Sequence, residues 1–263
     1  MMTYLVIKCG GSVLDNIHPS LYENIVKIQN QGIQPVVVHG GGPTISNLLN
    51  KLNIKTKFVD GLRVTDEKVL NIAEMVLSGS MNKAIVRNLQ IAGGKAIGVS
   101  GIDGKLLVAS PLQSNHKLGY VGKVDEVNVE FLQCLIDSKL IPVISPIAID
   151  GKGQRWNINA DMVAAAVAKK FNAKLCLITN VSGVIQDDRL LNDLTPTQIQ
   201  RLIECGIITG GMVPKVTAAI ECLEEGIDEV VILNGLEENA ILSYVKGLPI
   251  GTTISNKDFI SSR

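Results

Sequence analysis

The sequence predicts an α/β fold, a three-layer αβα sandwich around a mostly parallel open sheet. Two observations lead there. Short apolar or β-branched runs (Leu5 to Ile7, Pro35 to His39, Ala96 to Val99, Ile141 to Ser145, Lys174 to Thr179, Asp228 to Leu233) alternate with segments whose apolar residues recur at helical spacing. Such alternation builds parallel strands with helices on both faces. Twice, moreover, a strand runs directly into consecutive glycines, at Gly10-Gly11 and at Gly40-Gly41-Gly42. In open parallel sheets, ligands gather at such carboxyl ends of strands.

With 263 residues the chain can bury a sizeable core, as one large domain or two lobes. Lys+Arg and Asp+Glu both number 25, a formal net charge of zero. That balance argues against broad binding to nucleic acid or to an acidic membrane surface. The five cysteines are scattered and show no C-x-x-C spacing. They imply neither a disulfide framework nor a zinc site, and so a reducing cytosol. Cys134, Cys176 and Cys222 fall in apolar patterns, where a free thiol behaves as a small hydrophobe. Lys8 and the glycines interrupt the apolar N-terminus, unlike a signal peptide. Runs such as Met162 to Ala168 are far short of the ~20 residues of a membrane helix. The expectation is a cytoplasmic protein with no membrane segment.

Taken in order, the first strand ends at Lys8, and Gly10 and Gly11 leave the backbone free to approach an anion. Leu21, Ile25 and Ile28 mark a helix from Pro19 to Gln31, stopped by Gly32. Pro43 opens a helix with the stripe Ile45, Leu48, Leu49 and Leu52. The glycines before it present free N–H groups and a positive dipole end, suited to a phosphate or carboxylate. Asp60-Gly61 between Lys55 and Arg63 marks a hairpin or an excursion over the surface. Asp66 opens a long helix with Val69, Ile72, Ala73, Val76 and Leu77 on one face. Loops and short strands are expected from Ser110 to Asp125, then a helix from Val129 to Lys139. Asn157 to Asp161 leads into an alanine-rich helix ending at Phe171, and Asn180 to Val184 is a turn after the next strand. Thr195-Pro196 caps a helix to about Cys205, and Thr209-Gly210-Gly211 precedes another carrying Val213, Val216, Ala219, Ile220 and Leu223.

Several catalytic signatures are missing: G-x-G-x-x-G after the first strand, G-x-x-x-x-G-K-[ST], G-x-S-x-G and H-E-x-x-H. His18, His39 and His116 have no partners at motif spacing, and His39, ending an apolar strand, reads as a hydrogen-bonded structural histidine. What remains is a set of strand-end and helix-start positions: Lys8 with Gly10 and Gly11, Gly40 to Gly42, Asn157 and Asp161, Asn180 to Gly183, and Gly210-Gly211 with Lys215. Taken singly, Lys8 and Lys215 read equally as solvated lysines and the glycines as packing turns.

Taken together, five motifs closely resemble the amino acid kinase family in order and spacing. They are Val6 to Ser12 (VIKCGGS), Val38 to Pro43 (VHGGGP), Gly61 to Thr65 (GLRVT), Asn157 to Asp161 (NINAD) and Gly210 to Lys215 (GGMVPK), and the likeness runs from Leu5 to Ile254. The resemblance implies ATP-dependent phosphorylation of the side-chain carboxylate of N-acetyl-L-glutamate, the second step of arginine biosynthesis. Sibling kinases acting on N-acetyl-2-aminoadipate, carbamate, aspartate, glutamate or a nucleotide are the nearest alternatives. A catalytically silent nucleotide-binding regulator is the alternative from another class. The resemblance further implies an N-terminal lobe (1–172) for the amino-acid substrate and dimerisation, and a C-terminal lobe (173–263) for the nucleotide.

It also assigns roles. Lys8 would hold the transferring phosphoryl group, Lys215 the leaving phosphate, and Asp161 both ammonium groups. Gly10, Gly11, Gly41 and Gly42 would supply N–H donors to the γ-phosphate and the reacting carboxylate. Arg63 would clamp the α-carboxylate, for which a guanidinium is apt, and Asn157 would bind that carboxylate or the acetamido group. Asn180, Val181, Ser182, Gly183, Val184 and Ile185, with Ile207, Ile208 and Thr209, would line the nucleotide. Mg²⁺ would ride on the phosphates, with no metal bound by the protein alone. Many relatives carry Asp at the position of Asn180, so the amide here keeps hydrogen bonding and drops a charge. Relatives that form arginine-inhibited hexamers carry an extra N-terminal helix, and only seven residues precede Lys8. The expectation is a homodimer with little arginine inhibition, joined through the apolar face of the helix that Asp66 opens.

Overall fold

The structure, a computed structural model, describes residues 3–11, 18–112 and 117–256; Ser12 and His116, both named above, lie outside them. At its centre is β1 (Thr3–Cys9), flanked in parallel by β2 (Ile33–His39) and β11 (Lys174–Thr179). Beyond β2 come β8 (Ile141–Ser145) and β5 (Ala96–Ser100); beyond β11 come β15 (Glu229–Asn234), β16 (Thr252–Ser255) and β14 (Asp193–Leu194). Neighbouring strands of this eight-stranded sheet are parallel except β15 and β16. The α/β class and the mostly parallel sheet are as the alternation predicts.

Both faces of the sheet are covered, because successive side chains of a strand point to opposite sides. Val6, Val36 and Val38 pack on one side with α6 (Ala160–Phe171) and α8 (Val213–Glu224), whose Val163, Val167, Val216 and Ala219 are buried. Leu5, Ile7 and Val37 pack on the other with α1 (Ser20–Asn30), α4 (Asn82–Ile91) and α9 (Ala240–Val245). A strand buried on both faces reads as an unbroken apolar run, which is why β1 and β2 stand out in the sequence. Further helices are α2 (Gly42–Lys51), α3 (Glu67–Glu74), α5 (Val129–Asp137) and α7 (Pro196–Glu204). Asp66 caps α3 by accepting from Val69 N at 2.9 Å, and Thr195 with Gln198 forms a capping box on α7.

Four findings depart from expectation. Between α3 and α4 the helix runs through a π-helical stretch, Met75–Met81, which a 3.6-residue period does not reveal. The face bearing Val69, Ile72, Ala73, Val76 and Leu77 packs against Ile45 and Leu49 of α2 in a third core, so it is not free to meet a second copy. Cys134 is exposed on α5 rather than packed; Cys176 and Cys222 are buried as expected. Where loops and short strands are expected, β7 (Val121–Val127) joins β6 (Leu107–Pro111), β9 (Ile147–Ile149) and β10 (Arg155–Ile158) in a small closed four-stranded barrel, a closure that the sequence does not announce. Its burial pattern does not alternate, so period-two reasoning passes over it. Among the described residues no helix is long and apolar enough to cross a membrane.

The barrel is tied to the rest by a bridge between Thr65 and Gly119. Thr65 N donates to Leu118 O at 2.9 Å and Tyr120 N to Thr65 O at 2.7 Å, with Gly119 at φ +69°. A Cβ on Gly119 would meet the Thr65 carbonyl directly, in a backbone region that side chains rarely adopt. Gly119→Ala is therefore expected to lower unfolding free energy by about 3 kcal/mol, from left-handed strain plus overpacking. Urea denaturation monitored by circular dichroism measures this.

Candidate active site

The parallel strands end at one edge of the sheet, and β1 is where the connections diverge, to β2 on one side and β11 on the other. In doubly wound sheets the crevice outside such a strand is the binding site. Lys8, level with Val38 and Leu177, projects there. Its Nζ lies 2.9 Å from Oδ1 of Asp161, in the first turn of α6, and both side chains are largely buried. Asn159 caps that helix by accepting from Asp161 N at 2.7 Å, which sets the carboxylate at the mouth of the crevice.

The glycine turns after β1 and β2 touch. A Cβ on Gly11 would lie 2.8 Å from Gly41 Cα, 2.9 Å from Gly41 N and 3.0 Å from Gly42 N. Gly41 is the N-cap of α2, with Pro43 in the first turn, so the N–H groups here lack intrahelical partners. The resulting concavity suits an anion. Gly10 differs from Gly11, Gly41 and Gly42: its N–H is directed at Ile178 O, at 3.4 Å.

Beside the turns lies a cavity of about 180 Å³ lined by Gly40 to Gly42, Arg63, Leu77 and Asn157 among others. Arg63 is buried at 8 % exposure, and its ring-stacking partner Phe58 lies 4.7 Å away across the β3 (Phe58–Val59) to β4 (Leu62–Arg63) hairpin. Arg63 Nη2 donates to Gly42 O at 2.9 Å and Ser46 Oγ at 2.8 Å, while Nη1, also buried, has no partner among the described residues. Burial draws its pKa below the usual guanidinium value without neutralising it. Asn157 Nδ2 donates to Thr65 Oγ1 at 3.1 Å, and Thr65 Oγ1 to Arg63 O at 2.8 Å, so the two polar ends of the cavity share one brace. Among the described residues, no Asp or Glu lines the cavity.

The structure thus brings together Lys8, Asp161, Gly11, Gly41, Gly42, Arg63 and Asn157. Lys215, one turn into α8, instead donates to Gly211 O at 2.9 Å; among the described residues, the ion pair of Asp161 is with Lys8. Asn180, Ile185 and Thr209 are exposed beyond β11, with Val181, Ser182 and Ile207 half-buried beside them. Val184 and Ile208 turn their side chains into the core, so only their backbone can face a ligand. Ser46, Phe58 and Thr65 went unassigned in the sequence. Phe58 was within reach of pattern reasoning, since the Asp60-Gly61 turn pairs it with Arg63 across the hairpin. His39 is buried and hydrogen-bonded, as its place at the end of an apolar strand suggests.

This arrangement has close parallels. A sequence model of the amino acid kinase family matches residues 3–234. The acetylglutamate kinase of Oceanobacillus iheyensis is 48 % identical over 262 residues, 98 % of either chain. That of Geobacillus kaustophilus is 47 % identical over 251 residues, 95 % of either chain. A crystal structure of a Streptococcus mutans UA159 protein superposes with a TM-score of 0.82 at 28 % identity, covering 98 % of this chain and all of the other. On sequence and fold alike, this chain belongs to the amino acid kinase family.

Proposed function

We propose that the chain transfers the γ-phosphoryl group of ATP to the side-chain carboxylate of N-acetyl-L-glutamate, as in the second step of arginine biosynthesis. The observation that carries this is the cavity lined by both the glycine turns and Arg63, whose Nη1 has no partner among the described residues. A buried guanidinium with an open donor is costly unless an anion fills it, and an α-carboxylate fits it bidentately. The absence of acidic lining among the described residues favours a substrate whose amino group is acylated and uncharged over one bearing an ammonium. The high identity to acetylglutamate kinases supports the same acceptor.

The acceptor carboxylate is already ionised at neutral pH, so the transfer requires no general base. The demand is electrostatic: two anions must meet, and charge must be spread over the moving phosphoryl group. Lys8 supplies a fixed cation there, oriented by Asp161. Gly11, Gly41 and Gly42 offer backbone N–H donors to the γ-phosphate and the attacking oxygen. Lys215 reaches the leaving phosphate by releasing the Gly211 carbonyl. The nucleotide lies over the strand ends of the C-terminal lobe (173–263), along Asn180 to Ile185 and Ile207 to Thr209, with Mg²⁺ on its phosphates. The acceptor occupies the N-terminal lobe (1–172). We place the enzyme in the cytoplasm, as a homodimer. Since the inner face of α3 is core, the apolar side chains left for a second copy on the helices after Asp66 include Met75 and Ile91, both exposed.

Four outcomes are expected. In a MgATP assay with hydroxylamine trapping, N-acetyl-L-glutamate gives hydroxamate ahead of N-acetyl-2-aminoadipate, glutamate, aspartate and carbamate. Lys8→Arg lowers that turnover by roughly 10²–10³-fold with ATP binding retained, since it displaces a cation aimed at developing charge; wild-type turnover in this variant would remove Lys8 from the chemistry. Arg63→Gln raises KM for the acceptor by about 10–100-fold and leaves the KM for ATP unchanged, as for a lost charged hydrogen bond. Sedimentation equilibrium returns twice the chain mass; a monomer would refute the dimer.

A further inference from the structure

His39 ends β2 and has no exposed surface. Its Nδ1 lies 3.1 Å from the carbonyl oxygen of Gly40. A carbonyl can only accept, so Nδ1 carries the hydrogen. Burial pushes the imidazole pKa down to about 4, so at neutral pH the ring holds that one hydrogen and Nε2 presents a lone pair. Facing it is Asn82, the first residue of α4 and itself fully buried, with Nδ2 at 3.3 Å. Asn82 Nδ2 also donates to Val143 O at 2.9 Å and lies 3.4 Å from Val99 O, and its Oδ1 accepts from Lys83 Nζ at 3.2 Å, so the amide nitrogen is the atom that faces Nε2. One of its two hydrogens goes to Val143 O and the other is shared between Nε2 and Val99 O, an arrangement that fits the Nδ1–H tautomer and leaves no place for a hydrogen on Nε2.

The Gly40–Gly41 peptide is trans, as are all peptide bonds of the described residues. In a trans peptide the C=O and the following N–H point in opposite directions. Holding the Gly40 carbonyl on the buried side, against His39, therefore turns the Gly41 N–H the other way, toward Gly11 and the crevice. A peptide between two glycines meets little steric resistance to rotation, so the turn does not hold this orientation by itself. We propose that His39, fixed in its tautomer by Asn82, is a positioning residue that locks the Gly40–Gly41 peptide plane and so aims the Gly41 N–H at the reacting anion. That the anion is one undergoing phosphoryl transfer rests on the function proposed above.

The two amide replacements of histidine separate the effects. Asparagine places its amide nitrogen, a donor, near the position of Nδ1, and glutamine places its amide oxygen, an acceptor, near that of Nε2. His39→Gln keeps a partner for Asn82 and loses the donor to Gly40, so kcat should fall roughly 10–100-fold, toward the effect of losing one anion-stabilising donor, with the KM for ATP unchanged. His39→Asn should recover most of that loss. Equal kcat in His39→Gln and wild type would overturn the proposal, as would an undiminished loss in a folded His39→Asn. A long-range ¹H–¹⁵N spectrum of the wild-type protein, which has three histidines, reads the tautomer whether or not the variants fold. Nδ1–H is expected, and Nε2–H would overturn the proposal. A wild-type enzyme with no turnover of N-acetyl-L-glutamate would count against the substrate alone, and the tautomer would still decide the role of His39.

Discussion

The contact between the two glycine turns is the constraint on which the site depends. β1 and β2 are adjacent and parallel, with Cys9 level with His39. Strands so paired lie about 4.8 Å apart, so turns leaving them at the same level must pass backbone against backbone. Gly11 has no room for a Cβ because Gly41 occupies that space. The contact brings the end of one strand and the start of α2 into one concavity, and it sets Lys8 beside them. A side chain at Gly11 would push the turns apart, and the N–H groups would no longer converge on one anion.

Charge is arranged on the same scale. The chain is neutral overall, yet the crevice holds two cations that differ in their partners. Lys8 is paired with Asp161, which fixes the ammonium in place and offsets part of its attraction for phosphate. Among the described residues Arg63 hydrogen-bonds only neutral oxygens and stacks on Phe58, so its full charge remains for a ligand. The division suits the chemistry. The group that meets a transferring phosphoryl has to be accurately placed, whereas the group that captures an acceptor carboxylate has to be attractive.

How far the sequence is legible follows the same physics. β1 and β2 are recognisable because burial on both faces requires continuous apolar runs, and their glycine turns because close approach requires glycine. Lys8, Asp161 and Arg63 are recognisable because they sit at strand ends and at a helix start within the family's motifs. The full length of β7 and its place in a closed barrel are hidden because Val121 to Val127 mixes buried and exposed positions without a period. The π-helical stretch is hidden because one wider turn leaves residue composition unchanged. It also shifts the phase of the following helix, so that Asn82 points inward to His39 while Lys83 bonds Gly98 O at 3.0 Å. The apolar face of α3 could belong equally to a core or an interface, and only packing against α2 distinguishes them.

The residues proposed to act divide across β1. On the β2 side lie Gly41, Gly42, Arg63 and, from the barrel, Asn157; on the β11 side lie Asn180 to Ile185, Thr209 and Lys215. Lys8 belongs to the strand between. In the proposed reaction, a phosphoryl group passing from a nucleotide on one side to a carboxylate on the other would cross the end of β1, where Lys8 would be the cation that it meets. Lys215 stands differently, since its ammonium rests on the backbone of its own helix. In the proposed reaction, stabilisation of the leaving phosphate therefore has still to be assembled when the nucleotide arrives, whereas the groups proposed to receive the phosphoryl group are already held in place by the glycine turns, the hairpin and the barrel.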